Sequence, residues 1–111
     1  MPNQQAALSE VFRGLADPTR RAVIERLGRG PKAVTELARP FKMALPSFAQ
    51  HLDVLEDCGL VTSQKVGRVR TYRLVPRRLA AAHTWLGTQR ALWERRLDQL
   101  DATLTAMKES R

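Results

Sequence analysis

Leu79, Leu86, Trp93, Leu100 and Met107 recur at seven-residue intervals through the last part of the chain, and Trp85, Leu92, Leu97 and Leu104 broaden them into one apolar stripe. Recurrence at that interval marks a helix that presents a continuous face to another helix. The segment from about Pro76 to Met107 is therefore predicted as a helix of about 30 residues, roughly 45 Å long at 1.5 Å per residue. With 111 residues and 43% hydrophobic content, the chain suits one compact domain and leaves no room for a second, enzymatic one. A face of that length outreaches so small a core. Either the helix folds back on its own domain, or a second copy covers it; the expectation is a symmetric homodimer with an isologous interface.

Upstream, the apolar spacing is that of several short helices. Ala7, Leu8, Val11, Phe12 and Leu15 define a first helix from about Gln4 to Leu15, with Gly14 weakening its end. Asp17-Pro18 then offers a capping oxygen and a proline suited to a first turn, which starts a second helix running to about Leu27 before Gly28 and Gly30-Pro31. Val34, Leu37 and Ala38 form a short third helix, ended by Pro40. A fourth begins near Leu45-Pro46 and stops at Gly59. Phe48, Leu52 and Leu55 line its inner stripe, whereas Pro46, Gln50, Asp53 and Asp57 face outward, flanked by Ser47 and Ala49. Two helices joined by a tight turn, the second with a free outer face, make a helix-turn-helix.

From Leu60 the period changes to two. Val61 to Val66 and Val69 to Val75 read as strands around Gly67-Arg68, a hairpin whose ribbon carries Lys65, Arg68, Arg70 and Arg73. A helix-turn-helix followed at once by a basic hairpin is the order of a winged helix. The fold class expected is thus mainly α with a small β-hairpin: one winged helix-turn-helix domain over residues 1–111, with the helix-turn-helix at about 33–58, the wing at about 60–75 and the dimerisation helix at about 77–107. The N- and C-terminal helices would form the dimer, through Leu8, Phe12, Leu86, Trp93, Leu97, Leu100 and Leu104.

Charge points to the partner. The net charge is +8, and between Leu60 and Ala80 there are six bases and no acid, against five bases and four acids from Ala81 to Arg111. The overall excess points toward a polyanion such as double-stranded DNA, although a basic run by itself is more often a solvated face than a binding site until the local structure marks it. The single cysteine, Cys58, allows no intrachain disulfide. The chain starts with no charged and then apolar leader, and nothing approaches the roughly 20 apolar residues of a membrane span, so a cytoplasmic location without membrane contact is expected.

Three strings, LADPTRRAVIERL, ELARPFKMALPSFAQHLDVLEDCGLV and VGRVRTYRL, resemble the ArsR/SmtB family of bacterial transcriptional repressors over about Leu8 to Leu100. The resemblance implies a dimeric winged helix that releases operator DNA when it binds a signal, here an unknown small-molecule inducer. By the family pattern the fourth helix enters the major groove, where Ser47 and Gln50 meet base edges, glutamine being able to bridge adenine N6 and N7. His51 lies at the edge of that face, either contacting phosphate or bonded to a neighbour. Lys42, Lys65, Arg68 and Arg70 would meet phosphates or reach the minor groove. Ala44 and Ala49 stand where relatives usually have serines, and the outward Asp53 would repel phosphate unless it accepts a bond from a cytosine amino group.

The family's metal sensors provide a residue-by-residue check. Ala38 and Pro40 follow Glu36-Leu37 where thiolate sensors carry two cysteines, and on the last helix only His83 is near the second kind of site, with Asp98 and Asp101 far along. No metal ligands and no cofactor are expected; Trp85, Trp93 and WERRLDQLDATL look like the metal-independent branch. Catalysis is not expected either: His51 and Cys58 lie about 10 Å apart along one helix, beyond reach of a base and its nucleophile. The alternatives are a protein-interaction adaptor on the same scaffold, favoured by Asp53 and Asp57, and a metal- or thiol-responsive sensor of the same family, the latter through Cys58.

Overall fold

In the computed structural model, which describes residues 4–110 apart from the side chain of Gln4, five helices surround a small antiparallel sheet. Helix α1 spans Gln4–Leu15 and α2 spans Pro18–Leu27. The Asp17 carboxylate caps α2 by accepting from the Arg20 backbone N–H at 3.1 Å, and Pro18 occupies the first turn. Strand β1, Lys32–Ala33, leads into α3, Val34–Ala38. Helix α4 spans Leu45–Asp57, β2 Val61–Val66, β3 Val69–Leu74 and α5 Pro76–Glu109.

Sequence patterning leads to a two-stranded hairpin; the sheet has three strands in the order β1-β3-β2. Strand β1 pairs Lys32 with Tyr72 and Ala33 with Thr71. Two residues are too few to show an alternation, so this strand exists only because β3 offers it an edge. Strand β3 ends one residue before Val75, whose N–H donates to the Leu60 carbonyl at 2.9 Å and whose position caps α5.

The core lies where α4 crosses the sheet and α2. Phe48, Leu52 and Leu55 are fully buried together with Val23, Leu37 and Leu60, as the fourth helix's inner stripe requires. Gly59, at φ +78°, ends α4 in the left-handed region that favours glycine. Gly14 has a packing role instead: a Cβ there would lie 2.5 Å from Leu60 Cδ1, so the missing side chain lets α1 approach the strand entry.

Helix α5 behaves differently along its length. Its first turns pack on α1, with Ala82 buried and the Phe12 and Trp85 rings meeting edge to face at 5.8 Å. Beyond them the helix leaves the body, and Leu86, Trp93, Leu97, Leu100, Leu104 and Met107 are all about half exposed or more. The molecule consequently measures 76 × 37 × 22 Å, with a radius of gyration of 20.3 Å. About 13 Å would be ordinary for a compact chain of this length.

Candidate nucleic-acid interface

Helix α4 offers its outer face to solvent because its inner face is consumed by the core. Lys42, Ser47, Gln50, Asp53 and Asp57 are exposed, on the face the helical period assigns to them. Ala44 stands at the N-cap of the helix without a side-chain hydrogen bond, since its methyl group offers no capping oxygen.

His51 is half-buried and turned toward the start of α2. Its Nδ1 lies 3.3 Å from Arg20 Nη1 and 3.8 Å from Asp17 Oδ2. Arginine has only donors, so in that contact Nδ1 is the acceptor. Arg20 is itself fixed by bonds to the carbonyls of Gly14 at 2.9 Å and Arg13 at 3.0 Å. Of the two roles open to His51, the neighbour-bonded one is present, and it ties α4 to the α1–α2 corner. Burial works against the charged Asp17 carboxylate, yet the Arg20 N–H, His51, the Thr19 N–H and the Arg20 charge together outweigh it and lower the carboxyl's pKa.

On the wing, register assigns each side chain to a face. Val61, Ser63 and Lys65 oppose Leu74, Tyr72 and Arg70, so one face of the hairpin runs from buried apolar residues at its base to two bases near its tip. Arg73 opposes Thr62 and lies on the other face, so the four ribbon bases do not form one surface. Arg68 follows Gly67, whose φ of +62° makes the turn. Lys65 and Arg70 are like charges directly across an antiparallel pair, an arrangement that destabilises an isolated sheet. A polyanion would relieve it.

One connection has no sequence signal. Arg70 Nη1 donates to Ser63 Oγ at 2.9 Å, and Ser63 Oγ donates to Glu56 Oε2, also at 2.9 Å. This relay joins the wing to the last turn of α4. Its members lie up to 14 positions apart and only the folded register brings them together.

Cys58 is buried against Gly14, and burial pushes its thiol up despite the nearby Arg13 charge. That is the reverse of the exposed, activated thiolate a redox sensor uses, so the thiol-responsive alternative finds no support at this residue. Among the described residues no group of three or more His, Cys, Asp or Glu is placed to hold a metal ion, and no helix is long and apolar enough to cross a membrane.

Comparison with known proteins decides the family. The fold matches the crystal structure of an ArsR family transcriptional regulator, RHA00566, with a TM-score of 0.77 and 50% identity, covering 85% of this chain and 97% of that one. The chain belongs to the ArsR family. A second relative of this ArsR-family chain, the HTH-type transcriptional regulator Rv2034 of Mycobacterium tuberculosis, is 48% identical over 66% of this chain and 68% of its own length. Some curated relatives, such as the HTH-type transcriptional repressor SmtB of Mycobacterium tuberculosis, are spanned over 55% of their length. A helix-turn-helix domain model matches residues 15–64, which run from the end of α1 into β2. The fold is shared more distantly, at 22% identity and a TM-score of 0.63, with the homodimeric winged helix-turn-helix DNA-binding domain Mb0332 of Mycobacterium bovis; that match covers 83% of this chain and 91% of that one. This ArsR-family chain is thus a DNA-binding transcriptional regulator.

Proposed function

We propose that this chain is a cytoplasmic repressor that holds an inverted-repeat operator as a symmetric dimer and lets go when a small molecule binds. The observation that carries the reading is the face of α5. It is continuous from Ala82, buried against the chain's own body, to Leu86, Trp93, Leu97, Leu100 and Leu104, which the described residues leave about half exposed or more. Leu8 and Phe12 extend that surface onto α1. Isolated surface leucines are ordinary, but a run of this length marks an interface, and a second copy presents the same face.

Two-fold pairing presents two α4 helices about one DNA turn, roughly 34 Å, apart. Ser47 and Gln50 then read base edges; Lys42, Lys65, Arg68 and Arg70 hold phosphates, with His51 Nε2 available for one more. A groove of about 550 Å³ between α1 and α5, lined by Ala7, Leu8, Ala81, Thr84 and Trp85, has the size of a small-ligand site. It shares Leu8 with the dimer surface, so an occupant would alter how the copies meet.

The test is selection from random duplexes with purified protein, followed by titration across salt concentrations. The repressor reading expects an imperfect inverted repeat and a log–log salt slope of about −0.9 per phosphate contact, flattened in the Arg68→Ala, Arg70→Ala double variant with sequence preference retained. An adaptor, the reading favoured by the exposed Asp53 and Asp57, would enrich no motif.

A further inference from the structure

Apart from the stripe on α1 and α5, the exposed large apolar side chains among the described residues are Leu45, Val66 and Val69. All three stand on the elements assigned to DNA: the leading turn of α4 and the tip of the wing. Leu45 is 55% exposed at the first residue of α4, although Phe48, one turn on, is fully buried. No acid occurs between Leu37 and Leu52, and the turn leading into the helix exposes Arg39 and Lys42, so this edge is electrostatically suited to a duplex.

The chemistry of that edge is narrow. Ala44 brings no capping oxygen and Pro46 no N–H. Leu45, Ala49 and Asp53 follow one another at four-residue intervals, a row flanking the one that carries Gln50. An isobutyl group cannot bond a phosphate or a base edge, and the one feature of the major groove complementary to it is the C5-methyl group of thymine. We propose that Leu45 reads a thymine methyl group in each half-site, adding an apolar element of specificity beside the polar readout of Ser47 and Gln50. This rests on the reading of α4 as the groove-entering helix.

The experiment uses the full chain and its selected operator, remade with deoxyuridine in place of each thymine in turn, which deletes the methyl group and keeps the base pair. One thymine per half-site should weaken binding about fourfold on replacement, the effect of one buried methyl group. The Leu45→Ala variant should bind the thymine and deoxyuridine duplexes equally at that position, while Leu45→Met, which keeps an apolar reach, should still discriminate. Because Leu45 is largely exposed, neither change disturbs the core. The proposal is overturned if no replacement affects the wild type, or if the same thymine effect persists in Leu45→Ala. A chain that selects no duplex overturns the parent reading as well, an outcome separable from the other two.

Discussion

Phe48 and Trp93 are both large aromatic residues on amphipathic helices, yet the first is fully buried and the second 61% exposed. The winged body closes its core within one chain: α4 finds the sheet on one side and α2 on the other. Helix α5 meets α1 for a few turns and then runs out of chain to pack against. An apolar face states that something must cover it, and only the surrounding fold says whether the cover is the same molecule.

The sharpest break of this contrast is Phe48→Ala. Deleting a fully buried ring costs about 3–5 kcal/mol, a large part of the stability of a domain this size, so urea unfolding should shift toward complete loss of structure and of DNA binding together. Trp93→Ala should leave the body folded and act on association alone. The change is made twice per dimer, and at about 2 kcal/mol for each anchor the dimer weakens by about 4 kcal/mol, about a thousandfold, read by sedimentation equilibrium with an unchanged circular dichroism spectrum. If Trp93→Ala instead unfolds the body, the separation of the two regions is mistaken.

Two smaller effects sharpen the picture at the α1–α2 corner. Gly14→Ala forces a methyl group against Leu60 and should cost about 1–3 kcal/mol in thermal unfolding, since both backbones are fixed by packing. Asp17→Ala removes the α2 cap and should cost about 1 kcal/mol near neutral pH. The folded carboxyl titrates below its ordinary value of 3.8, so its contribution is complete above that value and fades as pH falls through the folded pKa. The difference between wild type and variant should accordingly narrow in acid; a gap independent of pH would assign the effect to something other than the carboxylate.

How much of this was legible in the sequence depended on whether the signal was local. Pro18, Pro46 and Gly59 punctuate α2 and α4 where the chain shows them, and the Phe48, Leu52 and Leu55 spacing named the buried stripe. The wing was readable from Gly67 and the switch to alternation, and α5 ends only two residues past Met107. Strand β1 was not, because two residues carry no period. The Glu56–Ser63–Arg70 relay and the His51–Arg20 contact were hidden for a related reason: each depends on partners set by register or by helix crossing, and neither distance along the chain nor residue type announces it. In the sequence Leu45 marks only the start of a helix, and its interest comes from exposure, which spacing alone does not give.

The central claim is that a second copy covers α5. Sedimentation equilibrium of the full chain from nanomolar to high micromolar concentration tests it directly. The account predicts a reversible transition to a species of twice the 12.5 kDa chain mass, complete at micromolar protein. A single species of one chain mass across that whole range would contradict it.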